Sequence, residues 1–226
     1  GVKIEHKLSY EEKNIKKNNS KLKKNLGNLY KSLEQKSEKR ITQKEFKKNI
    51  NKEIKNIKKI LKKLKETSNE GKIVYTTIDK IFDNIEPKIN NCKSECKKED
   101  LELIADSINF STTILQDTEN FFIKKKYTQD MSETNLDKLS DEDKTTLITI
   151  TKSLKSQKIE KRNNLKKTII NLKNNNFPIE EYLNQIEKNG FEVVSVSMNY
   201  DTIDNMKRWA MKDWANSWRG SIIKEI

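Results

Sequence analysis

His6 is the only histidine in 226 residues, and the chain holds just two cysteines, two prolines and five glycines, with aromatic residues at 7%. Each scarcity excludes something. There is no GxGxxG or P-loop to cradle a phosphate, no HExxH to hold zinc and no GxSxG to expose a nucleophile. Only scattered carboxylates remain for chemistry, so the chain reads as non-enzymatic and without a cofactor. No run of about 18 apolar residues is present, so nothing is expected to span a membrane. No signal peptide is evident either, and Gly1 stands where a Met would open a chain, which reads as a processed or trimmed sequence.

The cysteines, Cys92 and Cys96 in NCKSEC, are four apart. Zinc needs further ligands, and His6 is remote in sequence. On a helix this spacing suits a disulfide poorly, whereas a loop closes it easily. A disulfide and a pair of free thiols both stay open at this point.

What the chain has in quantity is charge. It is 36% charged and only 33% hydrophobic. Such a balance suits long amphipathic helices, each with a narrow apolar stripe and a broad polar face. Disorder is the competing reading of so polar a sequence, and the periodicity argues against it. Leu8, Ile15, Leu22 and Leu29 recur every seven residues, with Leu26 and Leu33 beside them, predicting a helix over 8–38. Thr42 and Glu45 form a capping box, flanked by Ile41 and Phe46 at staple spacing, so a second helix begins at Thr42 and runs to about residue 66. Val74, Ile78, Ile81 and Ile85 predict a third, ending near Pro87. A fourth is expected over 100–126, with Leu101, Ile104, Ile108, Leu115 and Phe122 inward. A fifth starts at Ser140 and its acidic neighbours and reaches Lys173, on a stripe of Leu147, Leu154, Leu165, Ile169 and Leu172.

A short helix follows Phe177-Pro178, carries Ile179, Tyr182, Leu183 and Ile186, and stops at Gly190. FEVVSVSM, residues 191–198, has strand composition without a partner strand and reads as extended chain. Asp201 caps a last helix, on which Met206, Ala210, Trp214, Trp218 and Ile222 share a face. The expected fold is all-α, a bundle of about five to seven amphipathic helices with long basic N-terminal helices. It forms a single helical domain, with residues 1–7 as a tether and 127–140 as a loop.

The charge is unevenly placed. Residues 1–66 carry 22 basic and 8 acidic groups, a balance of +14 in a chain whose total is +13. Residues 144–173 add 9 basic groups against Glu160 alone, while 95–143 hold 13 acidic and 6 basic ones. KKNINKEIKNIKKILKKLK, residues 47–65, is the densest stretch. Lys44, Lys48, Lys52, Lys55, Lys59 and Lys62 each precede an apolar residue by two, about 200° around a helix, so this ladder should face away from the core. Lys47, Lys58, Lys63 and Lys65 widen it.

A lysine-rich face also keeps a helix soluble, and a genome rich in A and T supplies Lys, Asn and Ile codons without selection for binding. Solubility does not, however, require all the excess charge on one part of the chain. The six ladder lysines span about 27 Å at 1.5 Å per residue, long enough to neutralise several phosphates of a duplex, which offers one charge per about 1.7 Å. Ammonium groups act as point charges, whereas base readout favours Arg, Asn and Gln in a defined frame. With Arg40, Arg162, Arg208 and Arg219 the only arginines, nucleic acid would bind without sequence preference. Heparin-like sulfated glycosaminoglycans would satisfy the same surface. In KRWAMKDWANSWRG, residues 207–220, Trp209, Trp214 and Trp218 alternate with cations. Stacking on bases is one reading, but the shared face of Trp214 and Trp218 favours core anchoring.

The Lys, Asn and Ile bias, capped basic helices such as ITQKEFKKNINKEIKNIKKILKKLK, few Gly and Pro and the Trp-bearing tail together resemble the helical surface lipoproteins of Lyme-disease Borrelia, in particular the group called paralogous family twelve. The resemblance implies a lipidated Cys upstream of Gly1 as the only link to a membrane, a bacterial outer-surface location and a ligand-binding role. For that group it also implies non-specific DNA binding. Related helical lipoproteins bind host complement or matrix proteins, which makes an adhesin or immune-evasion role the alternative.

Overall fold

The computed structural model describes residues 10–130 and 141–195. Six helices and no strand occur among the described residues: α1 (Tyr10–Ser37), α2 (Gln43–Thr67), α3 (Lys72–Asn91), α4 (Lys98–Asp130), α5 (Asp141–Asn174) and α6 (Ile179–Lys188). The protein is all-α, within the range of helices its periodicity predicts. The contacts group the chain into two compact units where composition suggested a single domain. Among the described residues, one comprises 10–118 and 165–193, the other 119–130, 141–164 and 194–195. The tether at 1–7, residues 131–140 of the expected loop, Ser140 and the Trp-bearing helix lie outside the described residues, as does Leu8. So do the side chains of Leu147 and Leu154.

The first unit contains α1, α2, α3 and α6 with parts of α4 and α5. The apolar stripes are its core: Leu22, Leu29, Leu33, Phe46, Ile50, Ile57, Leu61 and Leu64 have no exposed surface. Full burial of one such side chain contributes roughly 1.5–3 kcal/mol. Polar pairs fix the helix directions. Asn28 hydrogen-bonds Glu53 and Lys36 lies over Phe46 at 6.0 Å, so α1 and α2 run antiparallel. Lys65–Asp79 and Lys58–Glu86 do the same for α2 and α3, and Lys93, just past the end of α3, continues the series by donating to Asn51, each residue number rising on one side as it falls on the other. On α4 and α5, Asp106 accepts from Thr168 and from Asn171, and Asn109 donates to Thr168.

Helix ends follow their local chemistry with two departures from expectation. Thr42 caps α2 by accepting the Glu45 N–H at 3.2 Å, as the capping box predicts. The turn before it is not marked by glycine: Lys39 adopts φ 58°, and the Arg40 N–H returns to the Gln35 carbonyl at 2.8 Å. The third helix passes through Pro87 to Asn91 rather than ending near it. Pro87 is exposed, and Ile89, fully buried, continues the stripe of Ile78, Phe82 and Ile85, so packing outweighs the lost backbone bond. The fourth helix continues beyond 126 to Asp130, taking in the first residues assigned to a loop. Cys92 and Cys96 are joined by a disulfide between the end of α3 and the turn before α4, which decides between the two alternatives left by their spacing.

Gly190, at φ 89°, ends α6. Residues 191–195 are neither helix nor strand, with Phe191, Val193 and Val194 buried. In the second unit, Asn120 donates to the Ser195 hydroxyl at 3.3 Å, both side chains being buried.

Candidate polyanion surface

The α2 stripe points inward because Phe46, Ile50, Ile54, Ile57, Leu61 and Leu64 repeat in steps of three and four, and all six are buried. At 100° per residue, the ladder lysines then fall within an arc of about 80° centred opposite the core. Lys44, Lys48, Lys52, Lys55, Lys59 and Lys62 are all exposed. The ten lysines of residues 44–65 do not act as one surface, however, and the tertiary packing sorts them into three groups.

On the flank facing α3, Lys65 pairs with Asp79 at 2.5 Å and Lys58 with Glu86 at 2.9 Å. Asp79, Asp83 and Glu86 lie on one side of α3 because they are four and three residues apart. Partial burial, reinforced by Asp79 and Glu86, raises the Asp83 carboxyl above its usual range against the pull of Lys58 and Lys65. Lys58 and Lys65 are thus engaged within the protein. Lys47, on the same flank, is exposed.

On the flank facing α1, Lys52, Lys59 and Lys63 border a groove of about 510 Å³ across from Lys21 and Lys24. Its depth holds Asn18 and Glu53, only 2% and 8% exposed. The Asn18 Nδ2 and Glu53 Oε2 atoms have no hydrogen-bond partner within the protein. Burial raises the Glu53 carboxyl above the ordinary range, against Lys52, the Asn28 hydrogen bond and Lys24. Sequence reading missed this groove, since its α1 half is spread over Asn18, Lys21, Lys24, Asn25 and Asn28. The only signal was Glu53, a lone carboxylate on the buried side of a lysine helix.

The third group, Lys44, Lys48, Lys55 and Lys62, lies on neither flank and is open to solvent. Its charges project as a row from a rigid helix, an arrangement suited to electrostatic attraction of an extended anion rather than to proton transfer or metal binding. No cluster of three or more His, Cys, Asp or Glu able to hold a metal occurs among the described residues, and no helix among them is long and apolar enough to cross a membrane. Comparison with family models, with curated proteins and with solved structures found no match.

Proposed function

We propose that the protein is a non-catalytic, DNA-binding protein that holds duplexes without sequence preference on the outer face of α2. The observation that carries this reading is the row of exposed lysines, Lys44, Lys48, Lys55 and Lys62, none with an ion-pair partner among the described residues, on a helix whose opposite face is buried. Lys52, Lys59 and Lys63 extend the row toward the positive edge of α1. Counterion release from neutralised phosphates supplies the affinity, and point charges give no frame for reading bases. The resemblance to surface lipoproteins agrees with this proposal and carries with it an outer-surface, lipid-anchored location.

The test is a gel shift with unrelated duplexes on a variant in which Lys44, Lys48, Lys55 and Lys62 are all changed to Gln. Glutamine keeps helix propensity and touches neither the α3 pairs nor the α1 groove. Affinity is expected to fall at least tenfold with the melting temperature unchanged, while changing Lys72, Lys80, Lys97 and Lys98 has much less effect. Full affinity in the folded ladder variant would return these lysines to a purely solubilising role.

A further inference from the structure

The groove between α1 and α2 changes in chemistry with depth. Asn18 and Glu53 line its floor, and just beneath that surface lie one donor and one acceptor without partners, Asn18 Nδ2 and Glu53 Oε2. The half-buried wall adds the Asn25, Asn28 and Asn56 carboxamides and the aliphatic Ile60, and the exposed mouth is ringed by lysines. We propose that this groove binds one anionic sugar unit, a ring bearing a sulfate or phosphate, whose hydroxyls are met by Asn18 and Glu53 as these side chains turn into the groove and whose anionic group sits among Lys21, Lys24, Lys52, Lys59 and Lys63.

Three features select this class of ligand. A fully ionised oxyanion such as sulfate offers acceptors alone, so it satisfies Asn18 and is repelled by Glu53, whereas a hydroxyl donates to the carboxylate and accepts from the amide at once. A sugar ring also has an apolar C–H face for Ile60, and the groove volume of about 510 Å³ lies in the range of small-molecule sites, roughly 300–1,000 Å³. Deoxyribose within a DNA strand has no free hydroxyl, so duplex DNA matches the outer row and not this floor. The proposal therefore stands independently of the DNA-binding reading.

Isothermal titration calorimetry on the full chain tests it, with glucose 6-phosphate, glucose 6-sulfate and a sulfated heparin disaccharide as probes and glucose and inorganic sulfate as controls. At least one anionic sugar is expected to bind ten times more tightly than either control. A response to the monosaccharides identifies a free sugar ester, and a response to the disaccharide alone identifies a unit of a sulfated chain. Asn18→Leu and Glu53→Gln should each weaken that binding about ten- to a hundredfold, the loss expected for a hydrogen bond in a charged site. Both variants should melt no lower than the parent and hold duplex DNA equally well, while the outer ladder variant keeps its sugar affinity. Inorganic sulfate binding as tightly as the sugar esters, sugar affinity unchanged in both folded groove variants, or no saturable binding by any probe overturns the proposal.

Discussion

Asn19 has no exposed surface, yet it joins three helices of one unit: its Oδ1 accepts from the Tyr75 hydroxyl at 3.0 Å and its Nδ2 reaches the Leu115 carbonyl at 3.5 Å. Replacing it with Leu removes the buried hydrogen bond that the Tyr75 hydroxyl donates, a loss of about 0.5–1.5 kcal/mol. Adding Tyr75→Phe should recover part of that loss, as urea titration of the double-mutant cycle would show; additive losses would mean that the two side chains do not act together. Glu53 has the opposite expectation. Its raised carboxyl means that the folded chain holds the proton more tightly than the unfolded chain, so stability falls as pH rises from the ordinary value of 4.5 through the raised one. Glu53→Gln should therefore be more stable than the parent by about 1 kcal/mol near neutrality, with the advantage disappearing below the ordinary carboxylate range. Thermal melts at pH 7 and pH 4 check the sign. A residue that weakens the fold and serves a ligand would show this pattern, whereas a structural carboxylate would show the reverse.

Two residues at the turn between α1 and α2 contrast in how well they suit their positions. Thr42 accepts an N–H that would otherwise be unpaired, so Thr42→Ala should lower stability by about 1 kcal/mol. Lys39, at φ 58°, occupies a left-handed conformation that costs a non-glycine residue roughly 1–2 kcal/mol. Lys39→Gly should recover about 1 kcal/mol of this, and chemical denaturation of the two variants should move the midpoint in opposite directions. The turn after α5 uses Asn176 at φ 67°, and asparagine is the residue type besides glycine that most readily adopts this conformation. Sequence punctuation by glycine and proline gave no sign of the lysine turn. At Pro87 punctuation misled, since a buried Ile89 draws the helix onward across a residue that ordinarily stops one.

At the scale of the whole molecule, the excess charge lies in residues 1–66, and α1 and α2 place much of it on exposed helix faces. If four to six of these lysines neutralise phosphates, log affinity for duplex DNA should fall against log salt with a slope of roughly −4 to −5. Unrelated sequences should bind within a few-fold of one another. Fluorescence anisotropy across a salt series measures both quantities, and a slope near zero or a strong sequence preference would contradict point-charge binding. Lys58 and Lys65 should add little to that slope, because their charges already face Glu86 and Asp79.

By itself the sequence determined the all-helical architecture, the start of α2, its buried stripe and the exposure of the ladder, because these follow from periodicity and capping within a few turns of one chain segment. Its glycine pattern also located the end of α6. The tertiary structure alone decided which lysines are free. Whether a lysine on α2 faces a carboxylate, a groove or solvent depends on Asp79 and Glu86 from α3 and on Asn18, Lys21 and Lys24 from α1, residues brought alongside by antiparallel packing and not by spacing. The disulfide belongs to the same class: four residues between two cysteines permit either outcome, and the end of α3 just before Cys92 places the pair in a turn where the bond forms. Glu53 shows the division most directly, since in the sequence it is one of three acids, with Glu45 and Glu66, among ten lysines, and only the approach of α1 buries it.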